Sequence, residues 1–175
     1  MYAHLQRRGG RYCCIIMTIL SSSPRRALLW ITFLSLSAVT IALISQYHYD
    51  MPPCAWCVMQ RLIYLVIAVL ALVGALLPYS AGQRAALIIC LLFACVGIAV
   101  AWYQHNVAAQ LLSCDMTFAD RFMTGTGLEA TFPLIFGIYA TCMDAAVTVL
   151  GVEYAVWSLG MYGVVGTVAA LGLMR

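Results

Sequence analysis

The chain has 175 residues and a net charge of +3, from nine basic against six acidic residues; 65% of it is hydrophobic and only 9% charged. Soluble domains carry roughly 45–50% apolar and about 25% charged residues, so this much apolar surface has to face lipid. Disorder, collagen and coiled coil are excluded, and so is a nucleic-acid reader, because the basic residues are all arginine and gather in no patch.

A hydrocarbon core about 30 Å thick takes roughly 20 apolar residues as helix. Residues 1–26 read as a cytoplasmic tail whose first 17 residues are a loose extension, with Met17 a possible start. The first span covers 27–45, 19 residues without a charge. That exceeds the 7–15 apolar residues of a signal peptide, and no A-x-A site follows, so it reads as an anchor. Ser23-Pro24-Arg25-Arg26 hints at twin-arginine export, but positive-inside charge explains it more simply. The next apolar run, Leu62–Leu77, has 16 residues and is too short alone. Extended back to Cys57 it spans 57–77 and takes Arg61 into its first turns. Pro78–Arg84 reads as a tight turn. The third and fourth spans cover 85–102 and 155–174.

Charge orients these spans. Seven arginines (7, 8, 11, 25, 26, 84 and 175) fall on one side of a four-pass chain, while all six acids fall on the other with Arg61 and Arg121. The positive-inside rule puts both termini in the cytoplasm and the 46–56 and 103–154 loops outside. In the long loop Thr131–Cys142 is apolar but too short to cross, so it lies on the membrane surface or caps the bundle. Thr124–Gly127 (TGTG) reads as a flexible turn. Residues 27–175 therefore form one all-α, four-helix membrane domain with a long periplasmic loop that carries a short membrane-surface segment. The Trp and Tyr residues near the span ends (Tyr47, Tyr49, Trp102, Tyr103, Tyr154, Trp157) read as the aromatic belt.

The eight cysteines sort by compartment. Cys13 and Cys14 lie in the cytoplasmic tail and should stay reduced. Cys90 and Cys95 lie in the third span, rotated by about 140° around the helix. They read as small packing residues. Cys54, Cys57, Cys114 and Cys142 lie on the outer, oxidising side. Four cysteines allow three pairings; the spacing of Cys54-Ala-Trp-Cys57 favours a local pair, leaving Cys114 with Cys142. Two plainer readings stand beside a redox role: half of a zinc site for the first pair, and for the second a staple of the long loop, which would contribute roughly 3–4 kcal/mol. No metal is expected, since a structural zinc in the oxidising exterior is uncommon.

The setting of the first pair favours chemistry. Pro52 and Pro53 precede it and suit a helix start, and cysteines at a helix N-terminus have lowered pKa values. Cys54, Cys57 and Arg61 stand at i, i+3 and i+7 on one face. Arg61 could simply snorkel to the interface. On the stripe of a reactive pair, it more naturally stabilises a thiolate and grips an anion or carbonyl.

Pro53-Cys54-Ala-Trp-Cys57-Val-Met-Gln60-Arg61 resembles the Pro-Cys-x-x-Cys-x-x-x-Arg signature of the DsbB family, quinone-linked disulfide generators of the bacterial inner membrane. The likeness covers about residues 27–175 and takes in Tyr103-Gln-His105, Cys114-Asp115, and Cys142 followed by Val149-Leu-Gly-Val and a Trp opening the last span. Trp56 departs from the family's usual Leu without removing a reactive group. The resemblance implies that a reduced DsbA-type, thioredoxin-fold partner attacks a Cys114–Cys142 disulfide. Electrons then pass to Cys54–Cys57 and on to a membrane quinone, ubiquinone or menaquinone, that feeds the respiratory chain. It makes Cys114 partner-facing and Cys57 quinone-facing, with Arg61 contacting the quinone and His105 near it or merely interfacial; Gln60 reads as a boundary residue. The rivals are a vitamin K epoxide reductase-like enzyme, disfavoured because the CxxC here opens the second span, and a non-enzymatic scaffold with two structural disulfides.

Overall fold

The computed structural model describes residues 23–110 and 117–174. The tail cysteines Cys13 and Cys14, and Cys114 with Asp115, lie outside the described residues.

Four long helices form an antiparallel bundle: α1 (Pro24–His48), α2 (Ala55–Leu76), α3 (Ser80–Asn106) and, after the long loop, α7 (Tyr154–Leu173). Each is long and apolar enough to cross a membrane. Large apolar side chains such as Phe33, Leu36, Val69 and Leu92 point outward, as lipid-facing positions do. The chain is a multi-pass, all-α membrane protein, as its composition requires.

The helices overrun the apolar runs. Ser23 caps α1 through its side-chain oxygen, which accepts from the Arg26 amide, and Pro24 opens the first turn. α1 therefore starts three residues before the expected span and ends three after it, at His48. α2 begins at Ala55, two residues before the expected span start at Cys57. The expected 78–84 turn shrinks, because α3 already starts at Ser80 and includes Arg84. Apolar length measures the hydrocarbon crossing, whereas caps set the helix ends.

Small residues let the helices approach. A Cβ on Gly74 of α2 would meet the Cβ of Ala86 on α3, and one on Gly97 would enter the ring of Tyr162. Tyr162 is fully buried and stacks on Tyr64 with ring centroids 4.1 Å apart. Its hydroxyl donates to the Gln60 carbonyl at 2.9 Å, and the Tyr64 hydroxyl to the Ser158 carbonyl at 3.0 Å. Cys90 is buried in this core, but Cys95 is exposed. Only the first is a packing residue, because a five-residue offset takes the second round to the lipid side.

Both loops lie at one end of the bundle. The long loop holds α4 (Phe118–Thr126), α5 (Leu128–Thr131), α6 (Pro133–Phe136) and a hairpin, β1 (Thr148–Val149) with β2 (Val152–Glu153). Thr117 and Asp120 form a reciprocal capping box at the start of α4. TGTG is the last turn of that helix rather than a free turn, and Gly127 ends it at φ 70°. The hairpin turns through Leu150 and Gly151, both left-handed, at φ 56° and 80°. The apolar 131–142 segment caps the bundle: Phe136 is buried against Cys54, Trp56 and Met123, while Phe132 and Leu134 face outward. Backbone ties fix it there, with Tyr139 N donating to the Pro53 carbonyl at 3.0 Å and the Tyr47 hydroxyl to the Leu134 carbonyl at 2.6 Å.

A buried cysteine cluster beside an apolar cavity

Cys54 is the N-cap of α2 and is fully buried; Cys57 follows in the first turn, with the two sulfurs 3.2 Å apart. Both are free thiols, as is Cys142. The capping segment brings Cys142 onto Cys54, within hydrogen-bond reach of its sulfur. Two of the four outer cysteines thus meet across 88 residues of sequence, beside the local Cys54–Cys57 contact that the spacing favours.

The Cys54–Cys142 contact decides which sulfur gives up its proton more readily. Cys142 at its side, with burial adding to it and Cys57 opposing, pushes the Cys54 thiol up to about 12. The hydrogen bond with Cys54 holds the Cys142 thiol below its ordinary value against the opposing effect of burial. The lowered pKa expected for Cys54 from its place at a helix N-terminus is therefore overturned. A buried sulfur that must donate to its neighbour keeps its proton whatever the helix dipole offers.

Cys57 lines a cavity of about 330 Å³ between α1, α2, α3, α7 and the hairpin. Its walls are mostly apolar, with Ile41, Tyr154, Trp157 and Met161 among them, and the polar groups gather around Cys57, Gln60, Arg61 and Gln104. Arg61 is buried rather than snorkelling, at 5% exposure. One terminal nitrogen donates to Gln46 Oε1 at 2.6 Å and to the Ile135 carbonyl at 3.1 Å, and the other reaches the Ala42 carbonyl at 3.5 Å. Among the described residues its Nε has no partner although it is buried. A buried N–H left open is costly, and Arg61 belongs to a cavity wall that an apolar ring with carbonyl oxygens would suit in size and chemistry.

His105 is not in that wall. Its Nδ1 meets the Glu153 carboxylate at the foot of the hairpin. Of the residues read as aromatic belt, Tyr154 and Trp157 line the cavity, the Trp157 indole N–H donating to the Val149 carbonyl at 3.2 Å. Tyr103 packs on Trp56 with ring centroids 4.8 Å apart. The departure at position 56 is thus filled by a buried ring.

Sequence reasoning missed the glutamines. Gln60 is buried and donates to Gln104 Oε1 at 2.5 Å. Gln104 in turn donates to Cys57 Sγ at 3.1 Å and reaches Cys54 Sγ at 3.8 Å. Gln46, also buried, holds Arg61. The available signal was one glutamine near the loop end of each of α1, α2 and α3, where an unpaired amide has no place in lipid.

A four-helix membrane bundle with a CxxC at a helix start, and a third cysteine brought to it by a loop, is the framework of a membrane thiol–disulfide oxidoreductase. Comparison with known proteins specifies which. The family model "Disulfide bond formation protein DsbB" matches residues 24–172, and the chain belongs to the DsbB family. Among similar proteins is Disulfide bond formation protein B of Stutzerimonas stutzeri, 31% identical over 79% of this chain and 87% of its own. Disulfide bond formation protein B 1 of Pseudomonas putida is 29% identical over 86% of this chain and 90% of its own. The Cupriavidus necator protein is 26% identical over 89% and 96%. The chain is a disulfide oxidoreductase of disulfide-bond formation, which sets aside the non-enzymatic scaffold.

Proposed function

We propose that this enzyme reoxidises a periplasmic DsbA-type thiol oxidase and passes the electrons to a quinone of the bacterial inner membrane, with both termini in the cytoplasm. The observation that carries the reading is the division of labour around the CxxC. Cys54 faces the loop cysteine Cys142, while Cys57 faces the apolar cavity beside Arg61.

In this reading Cys114 receives the partner's thiolate and Cys142 leaves. The Cys142 thiolate, released against Cys54, then attacks Cys54 Sγ. The Cys54–Cys57 bond breaks, a Cys142–Cys54 bond forms, and the electron pair goes to Cys57. Each exchange conserves disulfides, so net oxidation needs an acceptor at Cys57. A quinone, when bound, supplies a two-electron, two-proton sink. Arg61, Cys57, Tyr154 and the apolar wall would hold it, and the open Nε of Arg61 supports a carbonyl contact. We assign that contact to Arg61 rather than to His105, which is taken up by Glu153.

The test is oxidation of a reduced thioredoxin-fold partner by the purified enzyme with added ubiquinone or menaquinone analogue, beside mass spectrometry of co-purified quinone. Quinone-dependent turnover is expected; none with either class would overturn the acceptor. Reporter fusions at Gly82 and Gly125 should give cytoplasmic and periplasmic signals, and reversed signals would overturn the orientation.

A further inference from the structure

We propose that Gln104 is a catalytic residue of this enzyme, its side-chain amide donating to the sulfur of Cys57 when that sulfur leaves a disulfide, and that Gln60 is the positioning residue that aims it. The inference deepens the reading of Cys57 as the outgoing sulfur and rests on it for the direction of exchange.

The geometry is a chain of two amides ending on sulfur. Gln60 Nε2 donates to Gln104 Oε1 at 2.5 Å, which leaves Gln104 Nε2 facing the cysteines, 3.1 Å from Cys57 Sγ and 3.8 Å from Cys54 Sγ. Both side chains are 5% exposed. Two amides bonded only to each other in an apolar bundle would be an expense with no return in packing. The Gln60 backbone is itself held by the Tyr162 hydroxyl at 2.9 Å, so the aiming side chain hangs from the buried tyrosine stack.

The chemistry asks for such a donor at Cys57. Attack by Cys142 on Cys54 breaks the Cys54–Cys57 bond and leaves an electron pair on Cys57 Sγ, with no proton transferred and no net redox change. The rate of that step rises as the leaving thiolate is stabilised. Arg61 shares the cavity wall, but its terminal nitrogens are engaged by Gln46, Ile135 and Ala42. The Gln104 N–H is already on the sulfur. It is neutral, so it adds no second charge to a buried site that holds Arg61. Selectivity follows from distance, since the donor favours Cys57 over Cys54 by 0.7 Å.

The decisive measurement uses the full chain in detergent, freed of quinone, in a Cys54→Ala background where Cys57 stands without its neighbour. The rate of Cys57 alkylation by iodoacetamide is followed against pH by mass spectrometry. Among the described residues, the other titratable and charged groups facing Cys57 are Arg61 on its own helix, Tyr154 from α7 and Cys142 from the loop, and they are common to every variant. Gln104→Met keeps the volume and removes the donor. The alkylation midpoint should move to higher pH, and in the intact four-cysteine enzyme the exchange step should slow about 10- to 100-fold. Gln60→Met, which leaves Gln104 in place but free to turn, should move the midpoint the same way by less, and it decides the matter should Gln104→Met not fold. An unchanged midpoint in a folded variant overturns the inference, even where the native enzyme turns over with quinone. A shifted midpoint in a protein that no quinone reoxidises upholds the donor and removes the acceptor instead.

Discussion

The middle of the bundle and its loop end are built on opposite principles. In the middle, contact is made by what is missing: Gly97 gives room to the Tyr162 ring and Gly74 to Ala86, and the two stacked tyrosines fill the space left. At the loop end, contact is made by directional bonds among side chains rarely tolerated in lipid, with Arg61 on Gln46 and Gln60 on Gln104 on Cys57. Close packing fixes how far apart the helices stand, and the hydrogen bonds use that distance to aim groups at sulfur. In the proposed exchange it is the loop end, not the packed middle, that changes partners.

The cysteines test this division most sharply. Cys57→Ser or Cys142→Ser should reduce quinone-dependent oxidation of the partner by on the order of 1,000-fold or more, since in the proposed exchange each sulfur is a disulfide partner. Cys90→Ala, in the packed middle, should retain turnover despite the burial of that sulfur, and Cys95→Ala should be indistinguishable from the native enzyme. Turnover assays on detergent-purified variants check both, and a dead Cys90→Ala enzyme would erase the boundary drawn here.

The same boundary marks what the sequence disclosed. Span number, the place of the CxxC and the stripe from Cys54 to Arg61 follow from apolar runs and helical spacing, which are local. Span ends did not follow, because local cap positions such as Ser23 and Tyr79 set them rather than the length of the apolar run. Gln46 and Gln104 were invisible as site residues, and Gln60 read as a boundary residue, because a glutamine near a span end faces water, lipid or a neighbour according to helix rotation. That rotation is set by the glycines and tyrosines of the middle. The sign of the Cys54 shift was misread for a related reason: the helix end is local, but Cys142 arrives from 88 residues away.

Arg61→Lys comes next in size. A lysine keeps the charge and could snorkel, but it lacks the planar fork whose one terminal nitrogen bonds Gln46 and Ile135 while the other reaches Ala42, and it has no Nε donor. Loss of one charge-assisted hydrogen bond should raise the apparent KM for quinone at least about tenfold, with the cysteines still paired correctly. Quinone-titrated oxidation of reduced partner reads this directly, and unchanged KM and kcat would return Arg61 to a structural role. Gly97→Ala probes the other region: overpacking against the Tyr162 ring should cost about 1–3 kcal/mol. Thermal unfolding in detergent should show it as a lowered midpoint, while folded molecules keep the native KM.

The smallest effect should separate the two sulfurs that meet across the loop. Alkylation follows the thiolate, so the Cys142 curve in the reduced enzyme should lie at lower pH than an ordinary thiol, because its thiolate accepts a hydrogen bond from Cys54. Cys54, fully buried and pushed up to about 12, should stay unmodified across the same range. In Cys54→Ala the donor is gone while the burial of Cys142 remains, and burial alone favours the neutral thiol. The sign is therefore fixed: as pH falls, the variant loses its Cys142 thiolate first, and its alkylation midpoint moves upward. Mass spectrometry of iodoacetamide-treated protein across the pH range, in the native enzyme and in Cys54→Ala, reads both cysteines in one experiment. A Cys142 midpoint that does not move, or that moves down, would mean that the loop cysteine is activated by something other than Cys54. The contact between loop and bundle would then be packing alone, and the loop end would differ from the middle only in its polarity.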